Sequence, residues 1–347
     1  MWWAGVAWRA GDFEVAVVDD TGNEVVPARE FTGRQLPELI ALLTGYAERA
    51  EGGLRTVIDS TNGMLDGHLL AAGLSVYRAD PPALPSRPLL GSVPGKTLAC
   101  CGVTSPTALT SLSVSTGTLA GRSREYLRKI ARSAFVKRRL LRSGQLFERG
   151  PGTQREVALT FDDGPHPGFT PQVLEILKRY DVQASFFCVG LTAYAYPELV
   201  ARTVEEGHQV GNHTWSHPFL PDLTRDEVLR QVDATNEALA KVVGGGNTLV
   251  RPPYGARTPQ LLRWLAGHGM VTALWDVDAN DWAAPGTDAV ADKVITEVSP
   301  GSVVLMHDGG GDRTQTVWAL PRIVETLLAD GYRLVTVDRV TQPRPGA

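Results

Sequence analysis

At 347 residues the chain is longer than one ordinary domain and fits about two. Hydrophobic residues make up 43% and charged residues 21%, a globular balance that excludes global disorder. With 34 Lys+Arg against 38 Asp+Glu, the net charge of −4 argues against a nucleic-acid partner, and three cysteines, two of them adjacent, cannot build a disulfide framework.

The opening residues lack the basic and apolar regions and the cleavage site of a signal peptide, so none is expected. Alternation predicts strands over 5–8 and 13–18, with turn residues at 20–22 before a third strand at 24–26. Helical spacing of Leu36, Leu39, Ile40 and Leu43 predicts a helix over 36–50, followed by a strand at 55–59, a helix near 65–72 and a strand at 75–77. Prolines crowd 81–94 and end a small α/β domain over 1–95. Residues 97–121 carry no charge, but Ser, Thr, Gly and Pro interrupt them too often for a membrane span, and they read as linker. Residues 122–149 then hold ten Lys/Arg against Glu125 and Glu148, a local +8 that leaves −12 for the rest. This basic helix closes a linker region over 96–150. It suits a solvated helix face as readily as a peripheral membrane or polyanion contact.

From about Glu156 the rhythm becomes strand–helix. Seven apolar runs, 157–161, 184–189, 209–212, 248–251, 271–275, 302–306 and 333–337, read as buried parallel strands. Helical patterns at 171–180, 197–206, 225–243, 259–268 and 316–329 separate most of them. Polar signals cluster after the strands: Asp162-Asp163, His213, Arg251, Asp276 to Asp281, and His307. A barrel gathers the C-terminal ends of its strands at one mouth, which favours a barrel over 151–343.

His213-Thr-Trp-Ser-His217 sets two imidazoles at i and i+4, which one helical turn would put on the same face. Asp163 is the natural third ligand, and an Asp/His/His set with an open position is catalytic zinc architecture, with Co²⁺ or a similar ion as a substitute. Standing alone, such a His pair would be fortuitous about half of the time. Asp162 and Asp163 point to opposite sides of a strand end, so Asp163 can ligate while Asp162 serves as general base. The same two acids also suit a plain turn before Gly164-Pro165. Arg251 can hold a carboxylate by a forked ion pair. His307 at a strand tip can protonate a leaving group, with Asp281 orienting it and raising its pKa. His68, His208 and His268 read as structural, Cys188 as a buried small hydrophobe, and Gly309-Gly310-Gly311 as a tight turn beside the site.

Thr160-Phe-Asp-Asp-Gly164, the His213–His217 pentapeptide, Arg251-Pro-Pro-Tyr-Gly255, the Asp278 to Trp282 element and Leu305-Met-His307 together resemble the five ordered motifs of the polysaccharide deacetylases, carbohydrate esterase family four. The resemblance spans roughly 155–340 and implies a distorted seven-stranded (β/α) barrel. It also implies the roles: Asp162 base; Asp163, His213 and His217 metal ligands; Arg251 positioning Asp162; the Tyr254 backbone N–H in the oxyanion hole; Leu305 lining the acetyl pocket; Trp282 walling the sugar groove; His307 acid, tuned by Asp281. The implied activity is metal-dependent removal of N-acetyl groups from a GlcNAc-containing polysaccharide, peptidoglycan or chitin oligomers, with O-acetylxylan as the alternative substrate.

The first domain resembles the RNase H-like domain of certain transposases at Gly5-Val-Ala-Trp8, Asp59-Ser-Thr-Asn-Gly63 and Arg78-Ala-Asp-Pro-Pro82. Ala7 stands where that family carries a first metal-binding acid, which leaves Asp59 alone, and two-metal phosphodiester chemistry then lacks its ligands. The domain is therefore expected to be a non-catalytic accessory. A reading of another class, a nucleic-acid- or envelope-binding protein, rests on this resemblance and on the basic run.

Overall fold

A computed structural model describes residues 1–9, 12–32, 35–59, 65, 69–70, 72–79, 84, 92–112 and 134–341. The chain divides into two compact units, Met1–Gly121 with Ser216–Pro218, and Arg122–Trp215 with Phe219–Ala347. Much of the expected helix at 65–72, most of the proline-rich 81–94, and residues 113–133 lie outside the described residues. So does the first part of the basic run invoked for a membrane contact, residues 122–133; of the rest, Ala134–Arg142 is helical. Among the described residues no helix is long and apolar enough to cross a membrane.

The first unit is a six-stranded sheet of order β3-β2-β1-β4-β5-β6. Strands β1 (Trp2–Arg9), β2 (Asp12–Asp19) and β3 (Glu24–Phe31) form an antiparallel meander. Helix α1 (Leu36–Arg49) buries Leu36, Leu39 and Leu43, the stripe its spacing predicts. Strands β4 (Leu54–Ile58) and β5 (Ser75–Ala79) then run parallel to β1, and β6 (Leu109–Ser111) closes the edge antiparallel to β5.

The region expected as linker from residue 96 opens with a packed helix. Gly95–Thr104 form helix α2, packed on β1 and β2, with Gly95, Leu98, Ala99, Cys101 and Gly102 buried. A Cβ at Gly102 would overlap the Trp3 ring, and one at Gly5 would overlap the Gly95 carbonyl. The helix lies so close because two of the positions on its contact face, Gly95 and Gly102, are glycines. Small residues leave no stripe of large apolar side chains, so the hydrophobic period that reveals other helices is missing here.

The second unit contains all seven expected strands: β8 (Glu156–Asp162), β9 (Ser185–Cys188), β10 (Gln209–Asn212), β11 (Leu249–Val250), β12 (Val271–Ala273), β14 (Val303–His307) and β15 (Arg333–Leu334). Two dipeptide strands, β7 (Leu146–Phe147) and β13 (Val277–Asp278), extend it. Every pairing is parallel, in the order β13-β14-β8-β9-β10-β11-β12-β7, with β15 joined to β8. This is the distorted (β/α) barrel the sequence implies. Strand β8 is buried along its whole length, as expected of a parallel strand covered on both faces. It pairs with β15 at Glu156 and Val157 and with β9 at Thr160 to Asp162.

Helices follow in sequence: α3 (Ala134–Arg142), α4 (Thr170–Arg179), α5 (Gly190–Ala195), α6 (Pro197–Glu205), α7 (Arg225–Val243), α8 (Pro259–Gly267), α9 (Thr287–Glu297), α10 (Thr314–Ala329) and α11 (Val337–Thr341). The longest, α7, starts at a capping box, where the Thr224 hydroxyl accepts from Glu227 N and the Glu227 carboxylate accepts from Thr224 N. It stops at Gly244 in the left-handed conformation. Between helices and sheet lies the main core, including Leu159, Phe161, Phe186, Val304, Met306 and Leu320.

Candidate active site

Strand β8 delivers Asp162, and its parallel neighbour β14 delivers His307 as the direct register partner of Asp162. An acid and an imidazole thus stand side by side at the C-terminal rim. Arg251 follows β11 and is fully buried. Its Nη1 donates to Asp162 Oδ1 at 2.6 Å and to Thr160 Oγ1 at 2.8 Å, while Nε and Nη2 donate to the carbonyls of Ala273 and Leu274, both at 3.2 Å. The guanidinium also stacks over Phe187 at 3.9 Å. One charge pair taken out of water, with four of the five guanidinium N–H groups donating, holds the carboxylate in a single orientation. The other oxygen, Asp162 Oδ2, faces His213 Nε2 at 3.6 Å.

Asp163, His213 and His217 are all buried, and one ligand atom from each lies within 4.8 Å of the others. His213 Nε2 is 3.4 Å from Asp163 Oδ1. Two ligands about 2.1 Å from a tetrahedral ion lie about 3.4 Å apart, so this pair already has the spacing of shared coordination. The Nδ1–H of His213 donates to the Arg251 carbonyl at 2.7 Å, which fixes the tautomer and leaves Nε2 unprotonated and able to ligate a cation. Among the described residues, this is the one such group of three or more, and no fourth protein ligand joins it. One carboxylate, two imidazoles and an open position suit a catalytic zinc-type ion.

The two histidines do not share a helical turn. Residues 213–217 are a loop, with Thr214 at φ 69° and His217 at φ 52°. The i, i+4 spacing points to the right pair for a different reason: the chain folds back in left-handed steps that few non-glycine residues adopt. Asp163 (φ 72°) and Tyr254 (φ 60°) share this feature. Strained backbone concentrated at four positions around one cluster is typical of ligand-handling sites.

His307 Nδ1–H donates to Asp281 Oδ1 at 2.8 Å, and the His307 backbone N–H donates to Asp281 Oδ2 at 2.9 Å. The Thr316 hydroxyl completes the cage around Asp281 at 2.7 Å. Burial opposes charge on the imidazole, but the Asp281 carboxylate outweighs it and pushes His307 up to about 9. Leu305 is buried on β14, Tyr254 sits in the short Pro253–Gly255 turn, and Trp282 is half-buried in the Asp281–Ala283 turn. Cys188 is buried, and burial pushes its thiol well up, consistent with an inert core residue.

Asp308, Arg313, Thr160 and Thr316 also surround the site, and sequence reasoning did not single them out. Asp308 is almost fully buried and accepts from Thr170 Oγ1 at 2.5 Å. Burial raises it to about 7, with Asp163 and Asp162 pushing the same way and the Thr170 hydroxyl opposing. The available signal was position: an acid directly after a strand-end histidine, followed by three glycines.

The chain matches the polysaccharide deacetylase family model over residues 149–273. It is 40% identical over 194 residues to a peptidoglycan-N-acetylglucosamine deacetylase of Bacillus cereus, covering 56% of this chain and 70% of that protein. A chitooligosaccharide deacetylase of Sinorhizobium fredii is 41% identical, with 51% of this chain and 87% of the relative covered. Of the peptidoglycan-N-acetylmuramic acid deacetylase PdaC of Bacillus subtilis, 40% identical, the match spans only 39%. Among solved structures, a peptidoglycan N-acetylglucosamine deacetylase superposes with a TM-score of 0.57 at 37% identity, covering 59% of this chain and 96% of that one. A family 4 pseudoenzyme from Bacillus anthracis superposes at 0.53 with 28% identity, covering 56% of this chain and 68% of that one. The fold is therefore shared with a member described as a pseudoenzyme, so the fold alone does not carry activity. The chain belongs to the polysaccharide deacetylase family, hydrolases acting on carbon–nitrogen bonds other than peptide bonds.

Proposed function

We propose that this protein is a metal-dependent N-deacetylase of a GlcNAc-containing polymer, peptidoglycan or chitin oligomers, with the chemistry housed in residues 151–343 and the N-terminal unit a non-catalytic accessory. The observation that carries the reading is the convergence, within one rim, of an arginine-held carboxylate, an Asp/His/His group and an aspartate-held histidine. A divalent ion bound by Asp163, His213 and His217, Zn²⁺ first and Co²⁺ next, supplies Lewis acidity toward the acetyl carbonyl and lowers the pKa of the attacking water.

The chain's own groups do the rest. Asp162, oriented by Arg251, takes the proton from that water. The backbone N–H of Tyr254 is assigned to the developing oxyanion, Leu305 to the acetyl methyl and Trp282 to the wall of the sugar groove. His307 presents Nε2 outward because Asp281 occupies Nδ1, and it protonates the departing amine. Asp281 keeps that proton in place at neutral pH.

The test is acetate release from acetylated chitooligosaccharide, from peptidoglycan and from acetylxylan, before and after chelation. Release from the first two, lost on chelation and restored by Zn²⁺ or Co²⁺, is expected. Release from acetylxylan alone replaces the amide by an ester substrate, and activity indifferent to chelation removes the metal from the mechanism.

A further inference from the structure

The glycine turn after His307 packs directly against the proposed metal ligand. A Cβ at Gly309 would overlap the Asp163 carbonyl oxygen, and a Cβ at Gly310 would overlap Asp163 Oδ2. Nothing but hydrogen fits between this turn and the aspartate. Gly310 also sits at φ 70°, so the turn itself has little intrinsic preference for the shape it takes.

Two groups hold it there. Arg313, only 6% exposed, reaches back from the start of α10: its Nε donates to the Gly309 carbonyl at 2.6 Å and its Nη2 to the Gly310 carbonyl at 2.8 Å. On the other side, Asp308 accepts from the Thr170 hydroxyl, and the same hydroxyl accepts from His166 N at 2.7 Å. Arg313 thus holds the glycine turn to the start of α10, and the Asp308–Thr170–His166 chain ties it to the turn after Asp163.

We propose that Arg313 is a positioning residue for Asp163: by clasping two successive carbonyls it presses the glycine turn onto the carboxylate and fixes the ligand for the cation. The proposal rests on Asp163 being a metal ligand. A forked guanidinium suits the task because its planar N–H groups hold two carbonyls in fixed geometry, which a single ammonium on a flexible stem does less rigidly. Loss of a group that orients a ligand typically costs about 10- to 100-fold in metal affinity.

The test titrates the metal-free full-length protein with Co²⁺ and Zn²⁺ alone, following Co²⁺ visible absorption and calorimetric affinity, for the native chain, R313Q, R313K and G310A. A melting curve without metal is taken for each. R313Q is expected to bind both ions about 10- to 100-fold more weakly per folded molecule. R313K should recover part of this, and G310A should weaken binding with Arg313 intact. R322Q, at an exposed arginine farther along α10 that pairs with Asp288 and Asp292, serves as the control and should bind like the native chain. Native affinity in R313Q and G310A overturns the proposal, even if both melt at lower temperature. Absence of cation binding by the native protein overturns the reading of the site, and the proposal with it.

Discussion

Each unit carries an aspartate where a parallel strand ends, and the two aspartates meet opposite fates. Asp59, just past β4, is buried and accepts hydrogen bonds from Ser92 Oγ and from Val93 N at 3.2 Å. The neighbouring strand β1, paired in parallel through Gly5 and Val57, offers Ala7 two residues on. Asp162, at the end of β8, has a histidine as its register partner, an arginine on one oxygen and a second histidine facing the other. A carboxylate at a strand end is thus a common product of the fold. It becomes chemistry only when neighbouring strands end in groups that can hold it and pass protons with it.

The largest expected effect tests this contrast directly. Asp162→Asn should reduce acetate release per folded molecule by about 10²- to 10⁴-fold, the usual worth of a positioned general base. Asp59→Asn should cost stability and leave turnover of the folded protein within a factor of two or so. Equal loss of turnover in both variants would break the contrast. Arg251→Gln comes next. It leaves Asp162 buried without its cation, and chemical denaturation should register a loss of about 3–5 kcal/mol together with reduced activity. A variant as stable as the native protein would mean that the carboxylate finds another partner.

Asp281→Asn sharpens the comparison through pH. His307 must carry its proton to act as an acid, so activity falls as pH rises through its pKa. Asp281 is what lifts that value to about 9. Removing the charge should move the alkaline limb of the rate profile to lower pH by about one to three units. A cation bound at Asp163 adds a second push in the same downward direction, so the comparison belongs between variants loaded with the same metal. An unmoved limb would assign it to another group.

The smallest effect concerns stability. His208 is buried against Phe186, and burial lowers it to about 4 despite the opposing charge of Glu206. The unfolded chain takes up a proton near pH 6.5 that the folded chain refuses until about pH 4, so stability is full above 6.5 and declines as pH falls through that window. His208→Gln should flatten the acid side of the stability–pH curve by up to about 3 kcal/mol, read from urea melts at pH 7 and pH 4.5.

The candidate site at the rim was legible because it is written in side chains that strands end on. Runs of buried β residues announce the strands, and polar residues at the ends of five of the seven runs announce the rim. Less legible was anything carried by backbone shape or by absence of bulk. The loop 213–217 places its histidines through left-handed residues, which the spacing misassigns to a helix. Helix α2 packs through Gly95 and Gly102, whose signal to a hydrophobic count is silence. Strands β7 and β13, two residues each, fall below the length at which any period can be counted. The glycines after His307 were rightly read as a tight turn, but the arginine that anchors them lies four residues on, in what reads as the ordinary start of a helix.

Because Asp162 and His307 sit opposite each other on directly bonded strands, with Asp308 N donating to the Asp162 carbonyl at 3.1 Å, the sheet itself rules the span between them. Under the roles proposed for Asp162 and His307, segments outside this ladder can be lengthened, shortened or rewritten without re-tuning the pair. Diversification of preference in such a scaffold should be sought in those segments, and drift in the ladder should coincide with loss of turnover.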